Sequence, residues 1–278
     1  MKCQDSQSPR LSVSGKRSPP AAGSGRRDCG TTSSDRGKTW GMLQLGDAWR
    51  PVSRIAVAPG YPDLIYAGTH PNPDPDNLQP AAVLRSTDGG LTWSVISPSI
   101  PEAEGDVQTL AAVSDQEVWF GTGGGLASGQ RGRLYHTTDG GQTWTAMGLG
   151  TTYPEQPRTI AIAPADPRTV YVGWQNPLNR GFGSERYFIK STDGGQTWSN
   201  LWLPNTDTHV GVVAVSPHDS KLVVAGTDGQ LMISTDAGAT WRQTDFAPYQ
   251  FLRPFDHHSL AFDAVDPDTF ATMKEEQP

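Results

Sequence analysis

Short apolar strings recur in pairs along this chain. RIAVAPGYPDLIYAGT begins at Arg54, TIAIAPADPRTVYVGW at Thr159 and VVAVSPHDSKLVVAGT at Val212, and TLAAVSDQEVWFGT, residues 109–122, repeats the pattern with a turn two residues shorter. Each consists of an apolar run, a turn carrying Pro, Asp or Ser, and a second apolar run closed by Gly. Runs this short, rich in Val, Ile and aromatic residues and bounded by turn formers, predict paired β-strands rather than helices. Between the pairs lies an octapeptide of the form Ser/Thr-x-Asp-x-Gly-x-Thr-Trp. It occurs as SSDRGKTW from Ser33, STDGGLTW from Ser86, TTDGGQTW from Thr137, STDGGQTW from Ser191 and STDAGATW from Ser234. Its aspartates, Asp35, Asp88, Asp139, Asp193 and Asp236, are spaced by 53, 51, 54 and 43 residues.

Each period therefore predicts four short strands: two from the apolar pair, one leading into the octapeptide and one leaving it through the Trp. Four strands per repeat define a propeller blade, and the fold class expected is an all-β propeller of four-stranded blades. The octapeptide has a mechanical reading. Its Asp accepts backbone N–H groups across the hairpin turn, its Gly supplies a positive φ, and its Trp (Trp40, Trp93, Trp144, Trp198, Trp241) fills the space between neighbouring sheets. Five copies at blade spacing favour turn staples over a catalytic or calcium site, because a turn recurs around a ring whereas a site is built once.

In these residues the chain resembles the Asp-box, or bacterial neuraminidase repeat, propellers, a superfamily that includes sialidases, xyloglucanase-type glycosidases, sortilin-type receptor domains and a photosystem assembly factor. The resemblance spans residues 31–272 and implies the fold strongly, whereas one fold serving such different activities implies no particular function. Full blades are expected at about 52–96, 107–147, 158–203 and 210–246. Residues 31–45 supply only the last two strands of a blade, and 259–272 (SLAFDAVDPDTFAT) only the first two. Either the halves pair and close a five-bladed ring, leaving no sheet edge exposed, or the chain is a piece of a larger propeller. The second arrangement is preferred, because propellers of this kind usually have six or more blades.

Composition narrows the partners. The 31 Gly, 23 Pro and nine Trp, with charged residues at 18%, fit a turn-rich all-β protein. Of the net charge of −7, residues 1–30 contribute +4 (six Lys or Arg, two Asp), so the rest carries −11. An acidic body excludes nucleic acid as main partner; a neutral or cationic ligand fits better. The basic, Ser/Pro/Gly/Arg-rich segment 1–30 has too little apolar surface to offset its ordering and is expected to be disordered, as a separate region before a propeller at 31–272 and a tail at 273–278. It holds both cysteines, Cys3 and Cys29. No apolar run is long enough for a membrane span, and no signal peptide is read at the start; the family resemblance instead implies an extracytoplasmic or secreted location.

In a propeller, the loops between blades and the loops joining a blade's second and third strands open on one face, the usual binding surface. The latter are long in three blades, His70–Ala82, Gly123–Arg133 and Gln175–Arg186, and short in the fourth, at Asp228–Gln230. The candidates for ligand binding on this face are Arg54, Gln108, Arg158, His209, His257 and His258; the candidates for catalysis are Asp106, Glu155 and Asp256. Asp256-His257-His258 with His209 has the residue types for a divalent metal, but no spacing enforces a ligand set, so hydrogen bonding around a wet channel is preferred and no metal or cofactor is expected. Glycoside hydrolysis needs two converging carboxylates, for which Asp106, Glu155, Asp207 and Asp256 qualify by position. Tyr153, Glu155 and Arg158 offer part of a sialidase-like set, yet the Arg-Ile-Pro string of sialidases is replaced by Arg54-Ile55-Ala56. Trp119, Trp174, Phe182 and Trp202 are candidates for stacking on sugars, with the core as the preferred place for most of them. The expected function is a binding scaffold for a glycan or protein ligand at the loop face, and a glycoside hydrolase is the alternative.

Overall fold

The computed structural model describes residues 10–12, 31–33, 38–39, 41–42, 51–72, 79–123, 132–147, 156–175, 188–204, 210–227, 230–244, 260–262 and 269–272. Among them there is no α-helix, only the 3-10 turn Glu102–Glu104. The chain divides into two compact units, Met1–Trp119 with Tyr135–Ala146, and Phe120–Leu134 with Met147–Pro278.

At the start, β1 (Arg10–Ser12) pairs with β2 (Thr31–Ser33), which pairs with β3 (Gly41–Met42). Three residues of the segment expected to be disordered thus lie in a sheet; the remainder of 1–30 is outside the described residues, as is the tail 273–278. The first blade runs β4 (Val52–Val57), β5 (Ile65–Thr69), β6 (Val83–Ser86), β7 (Ser94–Val95), each antiparallel to the next. The second has β8 (Asp106–Ala112), β9 (Val118–Gly123), β10 (Leu134–Thr137) and β11 (Thr145–Met147) in the same order. The third comprises β12 (Gln156–Ala163), β13 (Asp166–Gln175), β14 (Phe188–Ser191) and β15 (Ser199–Asn200), and the fourth β16 (Val210–Val215), β17 (Val223–Thr227), β18 (Gln230–Ser234) and β19 (Arg242–Gln243). A hairpin of β20 (Leu260–Phe262) and β21 (Phe270–Thr272) forms a separate two-stranded sheet. The four-stranded sheets begin and end within a few residues of the expected blades.

Burial explains the strand patterns. β5, β9 and β17 are buried along their whole length, as second strands covered on both faces must be, and they read as nearly continuous apolar runs. The fourth strands β7, β15 and β19 are exposed and only two residues long, which limits their use as templates for further pairing. Within the first unit, the innermost strand of blade two lies on blade one: Ser53 Oγ donates to the Val107 carbonyl at 2.7 Å. In the second unit Val213 N donates to Thr159 Oγ1 at 3.1 Å, joining the innermost strands of blades three and four. A buried cluster of Tyr171, Phe188, Val210, Val213, Val223 and Ala225 fills the space between blades three and four, with Trp241 packed against it.

Candidate functional site

The four described Asp-boxes have one geometry. In the first, Asp88 Oδ1 accepts from Leu91 N at 3.0 Å and Thr92 N at 2.9 Å, and Oδ2 accepts from the Thr92 hydroxyl at 2.5 Å. Ser86 Oγ donates to Asp88 Oδ1 at 2.7 Å and accepts from Gly90 N at 2.8 Å. Asp139, Asp193 and Asp236 repeat the pattern with Thr143, Thr197 and Thr240. The threonine hydroxyl foremost, then its backbone N–H and the leading Ser or Thr, hold each of these four carboxyls down at about 2. A carboxylate so saturated with local donors is a poor general acid or base near neutral pH. Trp144 Nε1 donates to the Ile96 carbonyl of blade one at 2.7 Å, and the Trp241 ring lies 5.5 Å from Phe188 of blade three. Trp93 Nε1 donates to Gly90 O within its own box, and Trp198 ends the third described box. Asp35 and Trp40 lie outside the described residues.

The fifth box carries Ala where the second, third and fourth carry Gly, and Ala237 has φ of 60°, a left-handed conformation costly for a residue with a Cβ. Its carbonyl is held by two side chains of the preceding blade, Tyr171 Oη at 2.9 Å and Lys190 Nζ at 2.8 Å. Burial and the nearby Asp236 push the Tyr171 phenol up to about 12. These are contacts of a scaffold.

At the loop-face end of the first unit the arrangement differs. Asp106, the first residue of β8, has its Oδ2 2.7 Å from Nδ1 of His70, the residue that follows β5. A carboxylate can only accept, so Nδ1 carries the proton and Nε2 faces away from the pair. The side chains are 43% and 27% exposed. Gln108 follows on the same side of β8, since Val107 and Thr109 between and beyond it are buried, and Arg54 is half-buried on β4, its Nη1 donating to Ser53 O at 2.7 Å. Arg158 is half-buried at the bulge of β12 between Pro157 and Thr159. Glu155, Tyr153, Asp207, His209, Asp256, His257, His258 and Phe182 lie outside the described residues. Among the described residues no three His, Cys, Asp or Glu side chains gather to hold a metal, and no helix is long and apolar enough to cross a membrane.

Of the aromatic candidates, Trp119 and Trp174 are core residues and Trp202 is 65% exposed. Trp119 belongs to a cluster that sequence reasoning did not single out. Its ring stacks on His136 at 3.6 Å, and Glu117 Oε1 accepts from Trp119 Nε1 at 3.2 Å and lies 3.1 Å from His136 Nε2. The His136 hydrogen bond, foremost, lowers the Glu117 carboxyl from its ordinary value. His70 was also missed as a site residue: it opens a long loop on the same face as Asp106, but nothing in a 36-residue separation signals the pairing.

Residues 79–169 match the family model described as Photosynthesis system II assembly factor YCF48, and residues 189–200 match the BNR/Asp-box repeat. The chain is 28% identical over 248 residues to a xyloglucanase of Hypocrea jecorina (strain QM6a), an alignment covering 75% of this chain and 28% of the relative. It is 29% identical over 204 residues to the photosystem II assembly protein Ycf48 of Synechococcus sp. (strain JA-2-3B'a(2-13)), covering 72% of this chain and 54% of the relative. It thus spans only part of the length of either. Among solved structures, the GH93 α-L-arabinofuranosidase of Fusarium graminearum superposes with a TM-score of 0.52 at 15% identity, over 88% of this chain and 79% of that one, a likeness of fold.

Proposed function

Because the chain is an Asp-box repeat β-propeller, we propose that it is a binding scaffold whose loop face takes a glycan or a protein partner. One observation carries the reading: the described Asp-box carboxylates are consumed by their own turns, while the carboxylate at the loop-face end of blade two, Asp106, is part-exposed and tied to a half-exposed imidazole. That pairing makes a fixed hydrogen-bonding surface. It does not by itself supply the two facing carboxylates that glycoside hydrolysis requires, separated by about 5–10 Å. The relatives support both classes of ligand, since one is named an assembly protein and the other a xyloglucanase.

A glycoside hydrolase is the second reading, favoured by the alignment with the xyloglucanase over 75% of this chain. On this reading the candidates for a catalytic carboxyl are those named from the sequence, Asp106, Glu155 and Asp256. A screen of chromogenic glycosides and xyloglucan for turnover, run beside a glycan array, separates the two. Binding without turnover supports the scaffold; turnover abolished by Asp106→Asn or Asp256→Asn replaces it with the enzyme.

A further inference from the structure

Resting on the reading that the loop face binds a ligand, we propose that His70 and Asp106 form a preorganised acceptor pair for the hydroxyl groups of a neutral saccharide. The backbone of both residues is pinned. Thr69 Oγ1 accepts from Ala82 N at 3.0 Å and donates to Ala82 O at 3.2 Å, His70 N donates to Pro51 O at 2.9 Å, and Asn72 N donates to Gln79 O at 2.8 Å. On the other side, Gly105, with φ of 71°, donates its N–H to Glu102 O at 3.1 Å. The buried Glu104 accepts from Tyr135 Oη at 2.7 Å, and Ser53 Oγ holds the Val107 carbonyl. Two side chains anchored this way give up little freedom when a ligand arrives.

The chemistry of the pair then selects its ligand. With Nδ1–H donated to Asp106, the neutral imidazole of His70 presents the lone pair of Nε2, and Asp106 presents Oδ1; neither atom has a partner among the described residues. Both are acceptors and call for a donor. The neighbouring inner strands carry Arg54 and Gln108, so the surface mixes donors with acceptors and shows no single sign of charge. Hydroxyl groups, which donate and accept from the same atom, match such a surface better than a lysine or arginine side chain. A metal ion needs further ligands, and among the described residues no third side chain of the metal-binding types joins the pair.

The test is calorimetric titration of the full chain with a panel of neutral oligosaccharides, including xyloglucan oligosaccharides, at low and high salt. His70→Phe keeps the ring and removes the acceptor, His70→Gln restores an acceptor oxygen, and Asp106→Asn keeps a partner for Nδ1–H while replacing the outward acceptor. Each variant's fold is checked by circular dichroism. Expected are a salt-insensitive affinity for wild type, a loss of about tenfold in His70→Phe and in Asp106→Asn, as for one lost hydrogen bond of about 1.4 kcal/mol, and partial recovery in His70→Gln. Saccharide binding that neither His70→Phe nor Asp106→Asn changes overturns the pair and leaves the scaffold reading standing. No binding of any neutral saccharide by wild type overturns the pair together with the glycan form of that reading. Steeply salt-dependent binding of a lysine-rich peptide, abolished by Asp106→Asn, overturns the saccharide as the ligand.

Discussion

Replacing Gly173 by alanine places a methyl group in space that is already occupied. The Cβ would stand 2.6 Å from the Val210 carbonyl oxygen, 2.6 Å from Thr159 Cγ2 and 2.9 Å from Val210 Cγ1, against the ~3.5–4.0 Å of a favourable carbon contact. The oxygen belongs to the backbone of β16 and cannot rotate away, so the innermost strand of blade four must retreat from blade three. Overpacking of this kind costs about 1–3 kcal/mol, offset in part by the ~0.4–1 kcal/mol that a Gly→Ala change gains by stiffening the unfolded chain. A net loss of about 1–2 kcal/mol is expected, read as a fall in Tm of about 2–8 °C. Urea unfolding followed by tryptophan fluorescence and far-UV circular dichroism measures it. A double-mutant cycle sharpens the test. Thr159→Ser removes Cγ2 but keeps the oxygen that accepts from Val213 N, so in the Gly173→Ala background it should recover at least about 0.5 kcal/mol relative to its own cost. A Gly173→Ala protein as stable as wild type, or a cycle with no coupling, would show that blades three and four do not approach as closely as described.

Ala237→Gly relieves a left-handed alanine worth about 1–2 kcal/mol while loosening the unfolded chain by ~0.4–1, so stability should rise by about 0.5–1 kcal/mol in the same urea experiment; a lower midpoint refutes the strain. Glu117→Ala leaves the fully buried Trp119 N–H without its acceptor and should cost about 1–3 kcal/mol, with a shifted tryptophan emission. The Asp-box carboxyls, held at about 2, sit below the ~3.9 of an unfolded-chain aspartate. Between those values the unfolded chain binds more protons, so their contribution is complete above about pH 4 and is lost as the pH falls toward 2. Thr143→Val, which removes a hydroxyl donor to Asp139, should move the acid-unfolding midpoint upward; an unchanged midpoint argues against that hydrogen bond.

The blades were legible in the sequence because their information is local. Alternating apolar strings, a Gly at the end of each second strand and an octapeptide turn each fix a few residues at a time, and repetition confirms the period. The same locality made the Asp-box aspartates readable as staples: Asp88 meets donors no more than four residues away. The local pattern does not say what lies across the gap between two sheets. The apolar pattern closing β13 with Gly173 gave no reason for the glycine, which is the carbonyl of Val210, 37 positions along the chain. Asp106 was read at the head of an inner strand, where β8 begins, but its partner His70 became visible only when the packing of blade two on blade one brought the end of β5 beside β8. The assignment of Trp119 and Trp174 to the core likewise needed neighbouring strands to cover them. Short-range hydrogen bonding and periodicity determined the repeat, the turn chemistry and the fold class. Packing between strands far apart in the chain decided which polar groups meet, because contacts of that range leave no periodic mark in the order of residues.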